Sequence, residues 1–152
     1  MIHPDRWNVR FLQLAKLVSS WSRDPSTKVG AVIVDPNKRI VSLGFNGFPQ
    51  GMSDHDYMYN ERDVKLSRVI HAEMNAVLFA GTVPANSVLY TYPLLPCDRC
   101  VVHMLQAGIK HFVSLEPSAE HQERWGKAMY NTMAYVAEAG GEYLLYPQKA
   151  IL

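Results

Sequence analysis

Residues 109–146, IKHFVSLEPSAEHQERWGKAMYNTMAYVAEAGGEYLLY, decide the fold. The apolar run from Ile109 to Leu115 reads as a strand. A helical pattern then runs from Glu120 to Ala139, and Gly140-Gly141 stops it. Glu142 to Tyr146 is a second strand. Strands joined by a tight turn run antiparallel, whereas a long helical crossover lets them lie parallel. The stretch therefore predicts parallel last strands.

The same alternation continues towards the N-terminus. Ser87 to Tyr92 reads as a strand, and Cys97 to Ala107 as a helix with Gly108 as its stop. Ala72 to Ala80 reads as a helix ending near Gly81. Val29 to Val34 and Arg39 to Phe45 are strands around the turn Asp35-Pro36-Asn37, which makes a hairpin. Residues about 6–22 place Phe11, Leu14, Ala15, Leu17, Val18 and Trp21 at helical spacing, and Asp24-Pro25-Ser26 ends that helix. Residues 47–70 carry few regular signals, and a connection of that length is usually functional or disordered. The order is α-β-β-α-β-α-β-α-β, one domain over residues 1–152.

A chain of 152 residues with 48% apolar content can build one sizeable core. No apolar run approaches the ~20 residues of a membrane-spanning helix. The N-terminus lacks a basic region followed by an apolar one, so a cytoplasmic location is expected. The net charge of +1 argues against a nucleic-acid-binding surface, although a local basic pocket for one phosphate is compatible with it. The two cysteines, Cys97 and Cys100, do not make a secreted disulfide framework. They point to metal binding or redox chemistry.

Two motifs carry the chemistry. His71-Ala72-Glu73 opens one helix, and Pro96-Cys97-Asp98-Arg99-Cys100 opens another. Cysteines three apart lie on one side of a helical turn. A helix N-terminus favours thiolates. One imidazole and two thiolates make three ligands, and a catalytic zinc site keeps a fourth position for water. Glu73, two residues from His71, can reach that open side without binding the metal. A redox pair or a structural zinc site are the competing readings. The first ignores the His-Ala-Glu half, and the second needs a fourth ligand and gives Glu73 no role. His3, His55, His103, His111 and His121 read as surface or core residues, with His103, one turn beyond Cys100, the least secure.

Together the motifs form the H-x-E…P-C-x-x-C signature of zinc deaminases. The chain resembles the deoxycytidylate deaminase family of the cytidine-deaminase-like superfamily. The likeness begins at Ser22-Arg23-Asp24-Pro25-Ser26-Thr27-Lys28-Val29-Gly30-Ala31. It continues through Gly44-Phe45-Asn46-Gly47-Phe48-Pro49-Gln50-Gly51, His71-Ala72-Glu73-Met74-Asn75-Ala76 and Gln106-Ala107-Gly108-Ile109-Lys110. It implies a three-layer α/β/α fold with a five-stranded mixed sheet.

It also implies deamination of dCMP to dUMP and ammonia, with one Zn2+ per chain on His71, Cys97 and Cys100. Zinc-bound hydroxide would attack C4 while Glu73 shuttles the proton. By the same resemblance, the Ala72 N–H would donate to the pyrimidine carbonyl and the Leu95 carbonyl would accept from the exocyclic amine. Asn46 would contact the sugar 3′-hydroxyl; the competing reading is a turn residue after the second strand. Leu95 departs from the Ser, Phe or Glu that relatives often carry before Pro-Cys. Residues 47–70 contain no cysteine for the second zinc that some relatives hold.

Phosphate donors are candidates only. Ser26 and Lys28 stand first because they precede the first strand near Asn46, followed by Arg62, Lys65 and Arg68 as phosphate or regulatory residues. Each is equally readable as a solvated surface group. The resemblance also implies a homo-oligomer, a hexamer in much of the family, and possible dCTP and dTTP effectors acting near Gly44–Asp54. The competing activities are a tRNA adenosine or guanine deaminase, a cytidine nucleoside deaminase, and a zinc protein that binds nucleotides without reacting.

Overall fold

The computed structural model describes residues 2–152; Met1 lies outside them. Helix α1 (Asp5–Ser19) leads into strands β1 (Gly30–Val34) and β2 (Ile40–Phe45). Helices α2 (Asp56–Asn60), α3 (Arg62–Arg68) and α4 (Ala72–Ala80) follow. Then come β3 (Val88–Tyr92), α5 (Asp98–Gln106), β4 (His111–Leu115), α6 (Ala119–Glu138) and β5 (Glu142–Tyr146), with a 3-10 turn at Gln148–Ile151.

The five strands form one sheet in the order β2-β1-β3-β4-β5. β1 pairs antiparallel with both β2 and β3, while β3–β4 and β4–β5 are parallel. The crossover helices do what their length predicts: α5 joins β3 to β4, and α6 joins β4 to β5.

Alternation along the strands feeds two cores. Val32 and Val34 point to one face with Val88, Tyr90, Val113 and Leu115, where they meet Phe11, Leu12 and Ala15 of α1. Ala31 and Ile33 point to the other with Leu89 and Phe112, where they meet α4, α5 and α6 through Ala76, Met104 and Val136. The result is three layers.

Small residues set the spacing of one layer. Helix α4 buries only Ala72, Glu73 and Ala76. It lies so close to β2 that a Cβ on Gly44 would stand 2.2 Å from the Ala72 carbonyl oxygen and 2.5 Å from the Ala76 nitrogen. Glycine is there because no side chain fits. Asn75 locks the same contact by donating to the Phe45 carbonyl at 2.8 Å.

Two features differ from the sequence reading. The segment read as irregular, 47–70, contains α2 and α3. They are five and seven residues long, and α3 buries none of its residues, so neither leaves an apolar stripe to read. The long helix α6 is broken at Trp125, whose backbone (φ −129°, ψ 15°) leaves the helical range before the helix resumes.

Candidate active site

The two motif helices begin at the same place. His71 and Cys97 are the cap residues of α4 and α5, both extended (ψ 153° and 165°), and neither side chain caps its own helix. The cap position normally holds Ser, Thr, Asp or Asn, whose oxygen accepts from the first turn. Here those side chains turn to each other instead. Cys100 is the third residue of α5, the position from which a side chain reaches back towards the cap. The C-x-x-C spacing therefore brings both sulfurs together.

The His71 Nδ1 lies 3.6 Å from the Cys97 sulfur and 3.2 Å from the Cys100 sulfur. Donor atoms of His71, Glu73, Cys97 and Cys100 all lie within 4.8 Å of one another. Glu73 Oε1 stands 3.8 Å from His71 Nδ1, while Glu73 Oε2 is buried with no hydrogen-bond partner. A buried polar atom left alone costs free energy and calls for an explanation. An imidazole, two sulfurs and an adjacent orphan carboxylate oxygen fit a zinc ion with its water.

Without a metal, the cluster shares its protons unevenly: only Cys97 is driven towards the thiolate, while Cys100 and His71 are held towards their protonated forms. The Cys97 thiol is pulled down to about 4, first by the hydrogen bond with Cys100 and then by His71, against its own desolvation. Cys100, the other half of the pair, is pushed up by the same hydrogen bond and by burial. Hydrogen bonding to Cys97 raises His71. Burial raises Glu73, a residue only 3% exposed.

Neighbouring elements hold the loop before α5. Thr132 of α6 donates to the Pro96 carbonyl at 2.7 Å, and Asn131 donates to Asp98 at 3.0 Å.

The cluster forms the floor of a cleft of about 340 Å³. Of the residues expected from sequence, Ser26, Asn46, Arg62, Lys65, Ala72 and Leu95 line it with His71, Glu73 and Cys97. Cys100 stands behind, buried. Lys28 and Arg68 are not among the lining residues. The Lys28 ammonium donates to the Ser22 carbonyl instead. Lys65 is held by the buried Asp24 carboxylate at 2.9 Å.

Asn46 is occupied on both ends of its amide. Its Nδ2 donates to the Thr27 carbonyl at 2.9 Å, and its Oδ1 accepts from the Val29 N–H at 2.9 Å. In this structure it ties the loop before β1 to the end of β2. His103 Nδ1 lies 2.8 Å from the Arg99 carbonyl, away from the cluster.

Sequence reading missed Asp24, Thr27, Arg124 and Trp125 in the lining. Asp24 accepts from Asn46 and Lys65 and from the Ser26 backbone, which is Asx-turn behaviour that its Asp-Pro-Ser context signals. Arg124 and Trp125 reach the cleft from the break in α6.

Comparison with known proteins agrees with this geometry. The family model for the cytidine and deoxycytidylate deaminase zinc-binding region matches residues 5–116. An uncharacterized deaminase from the luxG 3′ region of Aliivibrio fischeri is 41% identical over 143 residues, covering 93% of this chain and 95% of that one. A probable deoxycytidylate deaminase of Caenorhabditis elegans is 35% identical over 144 residues, covering 93% and 71% respectively. The crystal structure of the dCMP deaminase of cyanophage S-TIM5 in apo form shares the fold, with a TM-score of 0.70 and 23% identity over 96% of this chain and 100% of that one. With a matched segment that spans both motifs, and relatives aligned along nearly the whole chain, this protein belongs to the cytidine and deoxycytidylate deaminase family with its zinc-binding region.

Proposed function

We propose that this chain, as one domain over residues 1–152, hydrolyses dCMP to dUMP and ammonia. One observation carries the reading: a buried glutamate with an unpartnered oxygen stands beside a His-Cys-Cys cluster on the floor of an open cleft. Membership of the family supports the reaction class. The name of the worm relative supports the nucleotide.

His71, Cys97 and Cys100 would hold the zinc. Bound there, zinc supplies a nucleophile by lowering the pKa of a water towards ~7. Glu73 takes a proton on Oε2 and passes it to N3 of the cytosine. As the water's oxygen bonds to C4, Glu73 carries that oxygen's remaining proton to the amino group, the C4–N bond breaks and ammonia leaves. A carboxylate suits this step because it must accept a proton and then donate it. The Ala72 N–H, free at the first turn of α4, donates to the pyrimidine carbonyl. The Leu95 carbonyl accepts from the exocyclic amine. Asn46 Oδ1 keeps a second lone pair for the sugar 3′-hydroxyl. Ser26 and Arg62, which line the same cleft, are available to the phosphate end of the nucleotide.

The test is ammonia release from dCMP, CMP, deoxycytidine, cytosine, guanine and adenosine-bearing RNA. The expected result is the highest kcat/KM on dCMP. A higher value on any other compound overturns the substrate, and no ammonia from zinc-loaded protein overturns the enzyme.

The same reading makes the chain a cytoplasmic homo-oligomer, a hexamer by resemblance, that answers to dCTP and dTTP. Exposed Trp21, Ile40 and Phe45 beside the open edge of β2 support the assembly. Sedimentation of a monomer alone at micromolar concentration would remove the first claim. Rates unmoved by dCTP would remove the second.

A further inference from the structure

We infer that Arg124, held against Trp125 at the break in α6, is the specificity-determining residue that takes the anionic group of the substrate. The inference rests on the deaminase reading above and sharpens it, because it says what makes the cleft prefer a nucleotide to a nucleoside.

The inner face of α6 runs through Met129, Thr132 and Val136, all buried. One turn earlier the same face carries Trp125, where the core has ended and the cleft begins. The backbone at Trp125 leaves the helical range there, and Arg124, Trp125, Ala128 and Met129 all line the cleft. The guanidinium carbon of Arg124 lies 4.4 Å from the centre of the Trp125 ring. Stacking occupies one face of the guanidinium and leaves its N–H edge open. That edge matches two oxygens of a phosphate in one plane. A side chain already held by stacking loses less freedom when it binds.

The other cations of the region are less suited. Lys65 is committed to Asp24, and withdrawing it would leave a buried carboxylate unpaired. Lys28 is turned to the Ser22 carbonyl, and Arg68 does not line the cleft. Among the described residues, Arg62 and Arg124 are the cleft-lining cations with no ion pair. Arg62 sits on α3, which buries none of its residues, and it has no ring to rest on. Arg124 also lies beyond the matched family segment, residues 5–116.

The experiment compares dCMP with deoxycytidine for the zinc-loaded wild type, Arg124→Ala, Arg124→Lys, Trp125→Leu, Trp125→Phe and Arg62→Ala. Arg124 is exposed, so its loss leaves folding intact, and zinc content and melting temperature verify that. Arg124→Ala should lower kcat/KM for dCMP about 100-fold, the scale of a lost charge-assisted pair, and leave deoxycytidine within about twofold. Arg124→Lys should recover part of the loss. Trp125→Leu should cost about tenfold on dCMP and Trp125→Phe less, because a ring still backs the guanidinium. Arg62→Ala should cost less than Arg124→Ala. Arg124→Ala lowering both substrates equally, or neither, overturns the inference and leaves the deaminase reading standing. A wild type that releases ammonia from neither compound overturns both.

Discussion

The floor and the wall of the cleft are made by different means. The floor is two helix starts, α4 and α5, whose cap residues His71 and Cys97 turn towards each other, with Cys100 behind and Glu73 alongside. The wall is an interruption in a helix, where Trp125 departs from α6 and brings Arg124 with it. Regular secondary structure aims the reacting groups, and a departure from it supplies the contact that selects. Only the floor has to hold a metal and transfer a proton at fixed distances, so its tolerances are the tighter of the two.

The largest effects should come from the floor, and they should split in two. Glu73→Gln should cut ammonia release by about 10⁴-fold while the purified protein keeps one zinc per chain. Cys100→Ala should lose both, as read by elemental analysis. Should Glu73→Gln shed its zinc, the carboxylate would be a ligand, and the separation of cage from proton carrier would fail.

Next in size is the junction between floor and wall. Lys65→Met leaves the Asp24 carboxylate buried without its cation and should cost about 3 kcal/mol in a urea titration. Arg62→Met should stay within about 0.5 kcal/mol of wild type, as surface changes do. Equal midpoints for the two variants would show that Lys65 is a free cation at the cleft mouth after all.

Gly44→Ala tests the seating of the floor. The added methyl would meet the Ala72 carbonyl, so α4 must move, at a cost of about 1–3 kcal/mol. Activity should fall further than stability predicts, because His71 and Glu73 ride on α4 while the sulfurs ride on α5. A loss of stability with unchanged kcat would show that the two helix starts adjust together.

The smallest effect is expected at Thr132→Val, which removes the hydrogen bond to the Pro96 carbonyl. About 1 kcal/mol is expected, with kcat/KM reduced in proportion on every substrate. A change confined to dCMP would assign Thr132 to the wall and not to the floor.

The same division explains what the sequence disclosed. The floor was legible because its two motifs together match the H-x-E…P-C-x-x-C signature. Spacing placed Cys97 and Cys100 on one side of a helical turn and His71 beside Glu73; the meeting of the two helix starts came from the fold. Parallel β4 and β5 were legible from the length of the helix between them. The wall was not legible. Arg124 and Trp125 lie inside a long amphipathic pattern, and nothing in that pattern marks the residue where the backbone breaks. Helices α2 and α3 were missed because α3 buries nothing and so writes no hydrophobic period. Lys28 and Arg68 show the converse limit. Proximity in sequence to a motif fixes neither where a long side chain points nor which carbonyl it finds.

The use of His71 and Cys97 as cap residues has one more consequence. The first turns of α4 and α5 have no side-chain cap, because the atoms that could serve are committed to the cluster. Deuterium uptake at the amides just after residues 71 and 97 should therefore report metal loading directly.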